Sequence, residues 1–180
     1  KVFFPASVVV FGVSAAPTNL GRNIVLNLQR FGFKGEIHSV GKDGSDINGV
    51  RIYPAIEDVP GVPDLAVFLL PARHVPEALD ACGRKGIRRA IIESGGFSEY
   101  ADQGRDLERE VLDIARRWNM RVVGPNCISI VNLENGLVLP FVPLEDREVR
   151  KGNISIVAQS GGIALDCMRL LSYENLGASK

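Results

Sequence analysis

The sequence predicts an α/β fold, a doubly wound parallel sheet with helices on both faces, and three observations carry that expectation. Residues 8–11, Val-Val-Val-Phe, form a β-branched apolar run that stops at Gly12. After a small-residue loop reaching Gly21, apolar residues recur at helical spacing as Ile24, Val25, Leu28 and Phe31. Residues 65–70 are apolar throughout, as strands covered on both faces are. Strand and helix patterns alternate as far as Val123, and each strand ends at a turn containing Gly or Pro. These turns therefore gather on the carboxyl rim of one sheet, where such folds bind ligands.

Residues 1–4 and Pro5 lead into the first strand. The first helix is predicted over about 21–31, with Gly32 as its C-terminal cap. The free N–H groups and the dipole at its N-terminus favour an anion, a phosphate above all. The loop lacks the G-x-G-x-x-G spacing of a tight dinucleotide turn, and small residues here also serve simply to turn a chain. Residues 36–40, Glu-Ile-His-Ser-Val, alternate as a second strand, with His38 facing solvent or supporting a neighbour. At its carboxyl end stands Gly41-Lys42-Asp43-Gly44. Lys42 suits a ligand with an extra ribose phosphate, or is a solvated turn lysine, while Asp43 keeps a nicotinamide dinucleotide open.

Residues 49–54 read as a short extended segment. The third strand, 65–70, gives way at Pro71-Ala72 to a helix over about 75–83. A fourth strand, 90–92, enters the small-residue turn Glu93-Ser94-Gly95-Gly96-Phe97. The long helix expected over about 103–119 turns Leu107, Val111, Ile114, Ala115 and Trp118 inward as core. A fifth strand, 121–123, ends at Gly124-Pro125-Asn126-Cys127. Residues 133–150, with Pro140, Pro143 and a charged run from 145, read as a connector. Beyond it a strand over 154–158, the turn Gln159-Ser160-Gly161-Gly162 and a helix over 163–171 repeat the opening pattern. One strand and one helix bury too little to make a domain, so this unit is expected to be the cut-off start of a second one.

Composition narrows the class. At 180 residues there is room for one such domain and a piece of another. With 46% hydrophobic and 23% charged residues, no bilayer-length apolar run and no signal-peptide pattern, a soluble, cytoplasmic protein is expected. The 21 basic and 21 acidic residues cancel, which leaves no field for nucleic acid or a membrane surface. Cys82, Cys127 and Cys167, with no C-x-x-C, suit reduced thiols better than disulfides or zinc.

Seven segments, in order, carry a resemblance. They are Val-Val-Val-Phe-Gly-Val-Ser at 8–14, Val-Gly-Lys at 40–42, Asn-Gly-Val-Arg-Ile-Tyr-Pro at 48–54 and Asp-Leu-Ala-Val-Phe-Leu-Leu-Pro-Ala at 64–72. Ser-Gly-Gly-Phe-Ser-Glu at 94–99, Val-Gly-Pro-Asn-Cys at 123–127 and Ala-Gln-Ser-Gly-Gly at 158–162 complete the set. Together they resemble the CoA-binding domain of the NDP-forming acyl-CoA synthetases, the superfamily of the succinyl-CoA ligase α subunit. The resemblance covers essentially the whole chain. It implies a Rossmann-like domain over 1–132, a connector over 133–152 and, over 153–180, the first strand and helix of a flavodoxin-like second domain.

The resemblance implies coenzyme A, or acyl-CoA, along the rim. Gly12, Val13, Ser14, Asn19, Gly21, Val40 and Lys42 would face the nucleotide and its phosphates. Pro71 and Ala72 would line the pocket, and Ser94, Gly95, Asn126 and Cys127 would border the pantetheine end. Gln159, Ser160, Gly161 and Gly162 would hold the phosphate of a phosphohistidine whose histidine lies outside this chain. His38 and His74 stand in the wrong motifs, so no catalytic residue and no metal site is assigned, and an ATP-grasp domain or subunit is the implied partner. Residues 40–42 depart from the family's usual Val-Asn-Pro-Lys, which leaves that turn's geometry open. Cys127 has no histidine base beside it and reads as a small residue near the thiol rather than a nucleophile. Two other readings stay open: a CoA-binding regulatory module fused to an acetyltransferase, and an NAD(P)-binding Rossmann protein, the latter lacking G-x-G-x-x-G.

Overall fold

The computed structural model describes residues 2–98 and 102–180. Lys1 of the lead-in and Glu99 of the 94–99 motif lie outside the described residues. Among the described residues no helix is long and apolar enough to cross a membrane.

Each strand expected in the first 132 residues forms. β1 (Ser7–Phe11), β2 (Glu36–Val40), β5 (Leu65–Phe68), β6 (Arg89–Ile92) and β7 (Arg121–Val123) run parallel. Two more join them: β4 (Val50–Tyr53) pairs parallel with β2, and β3 (Asp46–Ile47) pairs antiparallel with β4 at the edge. The order is β3-β4-β2-β1-β5-β6-β7. The β3–β4 hairpin turns on Asn48-Gly49, both at positive φ (48° and 87°), as a tight two-residue hairpin requires. β5 ends two residues short of the apolar run. The Leu69 N–H still reaches the Phe11 carbonyl, but the Leu70 N–H turns to the Ser94 hydroxyl.

Strand alternation splits the core in two. Val8, Val10, Leu65, Val67 and Ile91 meet α1 (Leu20–Arg30) through Ile24, Val25 and Leu28. Val9, Phe11, Ala66, Phe68, Ala90 and Ile92 meet the opposite layer, α2 (Val75–Lys85) and α3 (Asp102–Arg117). Helices on both faces of a mainly parallel sheet are the doubly wound architecture that the patterning predicts. Each fully buried aliphatic side chain contributes roughly 1.5–3 kcal/mol against exposure. The apolar run at 8–11, at most 4% exposed, is therefore the spine of the fold.

Helix ends follow local chemistry. Gly32, at φ 65°, follows the end of α1 as expected. α2 outruns its predicted stop at Gly83 and is capped instead by Gly86 at φ 104°. Gly83 serves packing, because a Cβ there would lie 2.2 Å from the Trp118 ring. Leu107, Val111, Ile114, Ala115 and Trp118 do face the core, with Leu107 and Trp118 only partly buried.

Residues 131–144 are more ordered than a bare connector pattern suggests. β8 (Val131–Asn132) and β9 (Leu137–Val138) form a hairpin, and Leu137 and Leu139 are fully buried under α1. Asn27 of α1 donates to the Pro140 and Val142 carbonyls, both at 2.8 Å, and accepts from the Leu144 N–H. The strand expected at 154–158 forms earlier, as β10 (Lys151–Ile154), held by bridges to Ala178. Residues 155–158 have no strand, and Val157 is wholly exposed. α4 (Gly161–Tyr173) follows, capped by Ser160. His38 is not solvent-facing: its side chain is 12% exposed and lies 3.4 Å from Glu36.

Candidate functional site

The loops after β1 and β2 lock together at the carboxyl rim. Gly12 sits at φ 82° with the Leu69 carbonyl so close that a Cβ would lie 2.1 Å from its oxygen. A Cβ on Gly41 would lie 1.8 Å from the Val13 carbonyl oxygen. Only glycine allows backbone to meet backbone this closely. Gly12 and Val13 both donate to the Val40 carbonyl, at 3.1 and 3.2 Å. Gly21 opens α1 directly against the Gly12 carbonyl.

Asn19 ties this loop to the helix. Its Nδ2 donates to the Gly12 carbonyl at 3.0 Å, and its Oδ1 accepts from Ser14 N–H at 3.1 Å and Arg22 N–H at 2.8 Å. Asp43 does the same from the β2 side, accepting from the Ala15 N–H at 2.8 Å and the Ser45 hydroxyl at 2.9 Å. These donors, the Ala15 amide first, hold its carboxyl below the usual range. Amides 12–15 are thus all satisfied within the protein, which the motif alone did not foretell. An anion here is left the first amides of α1, at Leu20 and Gly21, which precede any intrahelical partner, and the exposed Lys42.

The second cluster forms where β5, β6 and β7 end. Ser94 is buried; its hydroxyl accepts from Leu70 N–H and donates to the Phe68 carbonyl, and its carbonyl accepts from Asn126 N–H at 3.0 Å. Ala72 lies 3.3 Å from where a Gly96 Cβ would stand, while Pro71, Gly95 and Asn126 are exposed. The Gly124–Pro125 peptide is cis, Gly124 packs its backbone on the Ile92 carbonyl, and Asn126 and Ser129 adopt positive φ. Cys127 is half-buried with Sγ 3.5 Å from the Ile92 carbonyl, and burial pushes its thiol up, away from nucleophile chemistry.

Gln159–Gly162 reaches this second cluster from the other side. A Cβ on Gly161 would lie 2.5 Å from the Ile128 Cβ, so the N-terminus of α4 abuts the loop that carries Asn126 and Cys127. The expected site residues therefore form two adjoining clusters, joined where Gly12 meets Leu69, with the α4 terminus beside the second. Sequence reasoning passed over Glu93 and Ser129. The carboxyl of Glu93 is 3% exposed and neither of its oxygens is hydrogen-bonded, and the Ser129 hydroxyl is likewise buried and unbonded. Burial raises the Glu93 carboxyl to about 8, against the opposing pull of the nearby Ser129 hydroxyl, which is too poorly placed for an ordinary hydrogen bond. The sequence signal was an acidic residue directly after the buried strand pair Ile91-Ile92.

A groove of about 650 Å³ between α2 and α3 is a surface feature. Three of its acids are paired, Asp80 with Arg84 and Arg117, Asp106 with Arg109 and Asp113 with Arg116, and its walls belong to the helices rather than to the rim. Among the described residues no cluster of ligand side chains fits a metal ion.

Comparison with known proteins agrees with this geometry. Residues 6–132 match the family model described as CoA binding domain. The chain is 40% identical, over 99% of its length, to an ADP-forming acetate–CoA ligase II of Archaeoglobus fulgidus. It is 32% identical to the α subunit of an ADP-forming acetate–CoA ligase II of Pyrococcus furiosus. It spans only 27% and 38% of those two proteins. Among solved structures, the apo dinucleotide-forming acetyl-coenzyme A synthetase 1 of Ca. Korarchaeum cryptofilum superposes with a TM-score of 0.90 at 32% identity. That match covers 98% of this chain and 38% of that one.

Proposed function

Since this chain belongs to the CoA binding domain family, we propose that it is the CoA-binding domain of an NDP-forming acyl-CoA synthetase and that its rim seats coenzyme A across the two loop clusters. The observation that carries the reading is the junction of glycine-enforced contacts, Gly41 against the Val13 carbonyl and Gly21 against the Gly12 carbonyl, which packs the loop that carries Lys42 and the start of α1 onto the same stretch of backbone. Backbone that close leaves room for a diphosphate at a positive helix end. In this reading Gly21, Asn19 and Lys42 face the phosphates, Gly12, Val13, Ser14 and Val40 shape the seat, and Pro71 and Ala72 line the arm. Ser94, Gly95, Asn126 and Cys127 border the thiol end. Bound there, the coenzyme supplies the thiol that takes the acyl group.

The wider assignment follows the same reading. The chain acts within a cytoplasmic acid–thiol ligase, working through an acyl phosphate with an ATP-grasp domain or subunit. Gln159–Gly162 holds the phosphate of a phosphohistidine, whose histidine lies outside this chain, at the start of α4, and residues 1–132, 133–152 and 153–180 are coenzyme domain, connector and start of the next domain. Asp43 weighs against a nicotinamide dinucleotide, because its carboxylate is already engaged by Ala15 and Ser45. A competition titration tests the reading. Coenzyme A should bind, dephospho-coenzyme A should bind more weakly, and NADH should displace neither; displacement by NADH would overturn it.

A further inference from the structure

The carboxyl of Glu93 stands at the end of β6, directly before Ser94, and nothing described so far uses it. Its two oxygens and the Ser129 hydroxyl make three buried polar atoms without hydrogen bonds in one place, beneath the loop 124–129. That loop turns through two non-glycine residues in the left-handed region, Asn126 at φ 53° and Ser129 at φ 80°. It is fastened from below by Asn126 N–H to the Ser94 carbonyl and by Cys127 Sγ to the Ile92 carbonyl. From above, Ile128 meets the start of α4 at Gly161. The groups that face Glu93 are the Ser129 hydroxyl and the Cys127 thiol, and no basic side chain among the described residues offsets its burial.

An ionised carboxylate without a partner is costly in such a place, whereas the neutral acid is tolerated. The loop above it carries Asn126 and Cys127, the proposed border of the thiol end. We propose that Glu93 is a positioning residue for that end of the coenzyme: as the neutral acid it supports the 124–129 loop from beneath, and its ionisation loosens the loop and weakens binding. This rests on the coenzyme reading above. It makes binding at the rim fall with rising pH through the carboxyl's own titration, near 8. By reciprocity, bound coenzyme A raises the pH at which Glu93 ionises.

The test is the coenzyme A affinity of the whole chain from pH 6.5 to 9, in wild type and Glu93→Gln, which copies the neutral acid. The affinity of wild type should fall about tenfold relative to the variant between pH 7 and 9. The same ligand titrates identically in both arms, so the difference belongs to Glu93. A second measurement on wild type follows the Glu93 carboxyl carbon by NMR, and its midpoint should move upward when coenzyme A saturates the protein. Parallel affinity profiles, or an unmoved midpoint, would overturn the role of Glu93 while leaving coenzyme binding intact. If coenzyme A fails to bind either protein at any pH, the coenzyme reading itself falls and this proposal with it.

Discussion

Asn19 and Gly12 are bound to each other across the first loop: the Asn19 Nδ2 donates to the Gly12 carbonyl at 3.0 Å while its Oδ1 caps α1 at Arg22. One side chain thereby fixes both the end of β1 and the start of α1. Asn19→Ala removes both links and should cost about 1–2 kcal/mol in chemical denaturation. Asn19→Asp keeps the cap and loses only the donor, so it should recover most of that stability. If both variants unfold together, the loop link rather than the cap carries the loss.

Gly41 has no room for a side chain. Gly41→Ala places a methyl 1.8 Å from the Val13 carbonyl oxygen, so the two loops must part. We expect a loss of at least ~1–3 kcal/mol by urea unfolding, since backbone cannot yield as a flexible side chain does. Coenzyme A affinity should drop with it. A variant as stable as wild type would contradict the interlocked rim.

Lys42 is exposed, and the proposed seat gives it a ligand contact rather than a part in stability. Lys42→Ala should leave the melting temperature unchanged and weaken coenzyme A roughly two- to fivefold, the scale of an exposed ion pair. Dephospho-coenzyme A should bind wild type and variant alike if Lys42 meets the ribose phosphate. Equal losses for both ligands would place Lys42 elsewhere.

Glu93 also sets a pH dependence of stability. Unfolded, its carboxyl ionises near 4.5; folded, it keeps its proton to about 8. Its contribution is therefore fully present below about 4.5 and is lost as pH rises toward 8, by up to about 1.4 kcal/mol per pH unit. Glu93→Gln should melt higher than wild type at pH 8, by roughly 2–4 °C per kcal/mol recovered, and the two curves should converge near pH 4. A constant offset at all pH values would show that the carboxyl ionises normally.

Much of this fold is legible in the sequence because its central strands are saturated with apolar residues. Val8–Val10 and Leu65–Phe68 have no polar face, and only a sheet covered on both sides accommodates such runs. The Asn48-Gly49 hairpin was equally readable by its turn chemistry, yet two-residue strands leave no periodicity to flag it. Gly83 and Gly86 look alike as helix stops, and only the Trp118 ring, thirty-odd residues away, tells them apart. The docking of Leu137 and Leu139 hangs on Asn27, a contact more than a hundred residues long. The rim glycines point to a seat for a ligand, but the engagement of amides 12–15 by Asn19, Val40 and Asp43 emerges only once both loops are folded.

The most direct measurement is a residue-resolved amide chemical-shift map of the chain titrated with coenzyme A. The account predicts shifts confined to the rim: residues 12–15, 19–21, 40–43, 71–72, 94–96 and 126–129, with the outer faces of α2 and α3 still. Saturable shifts along Arg73, Asp80 and Arg109 with a silent rim, or no shifts at all, would contradict it.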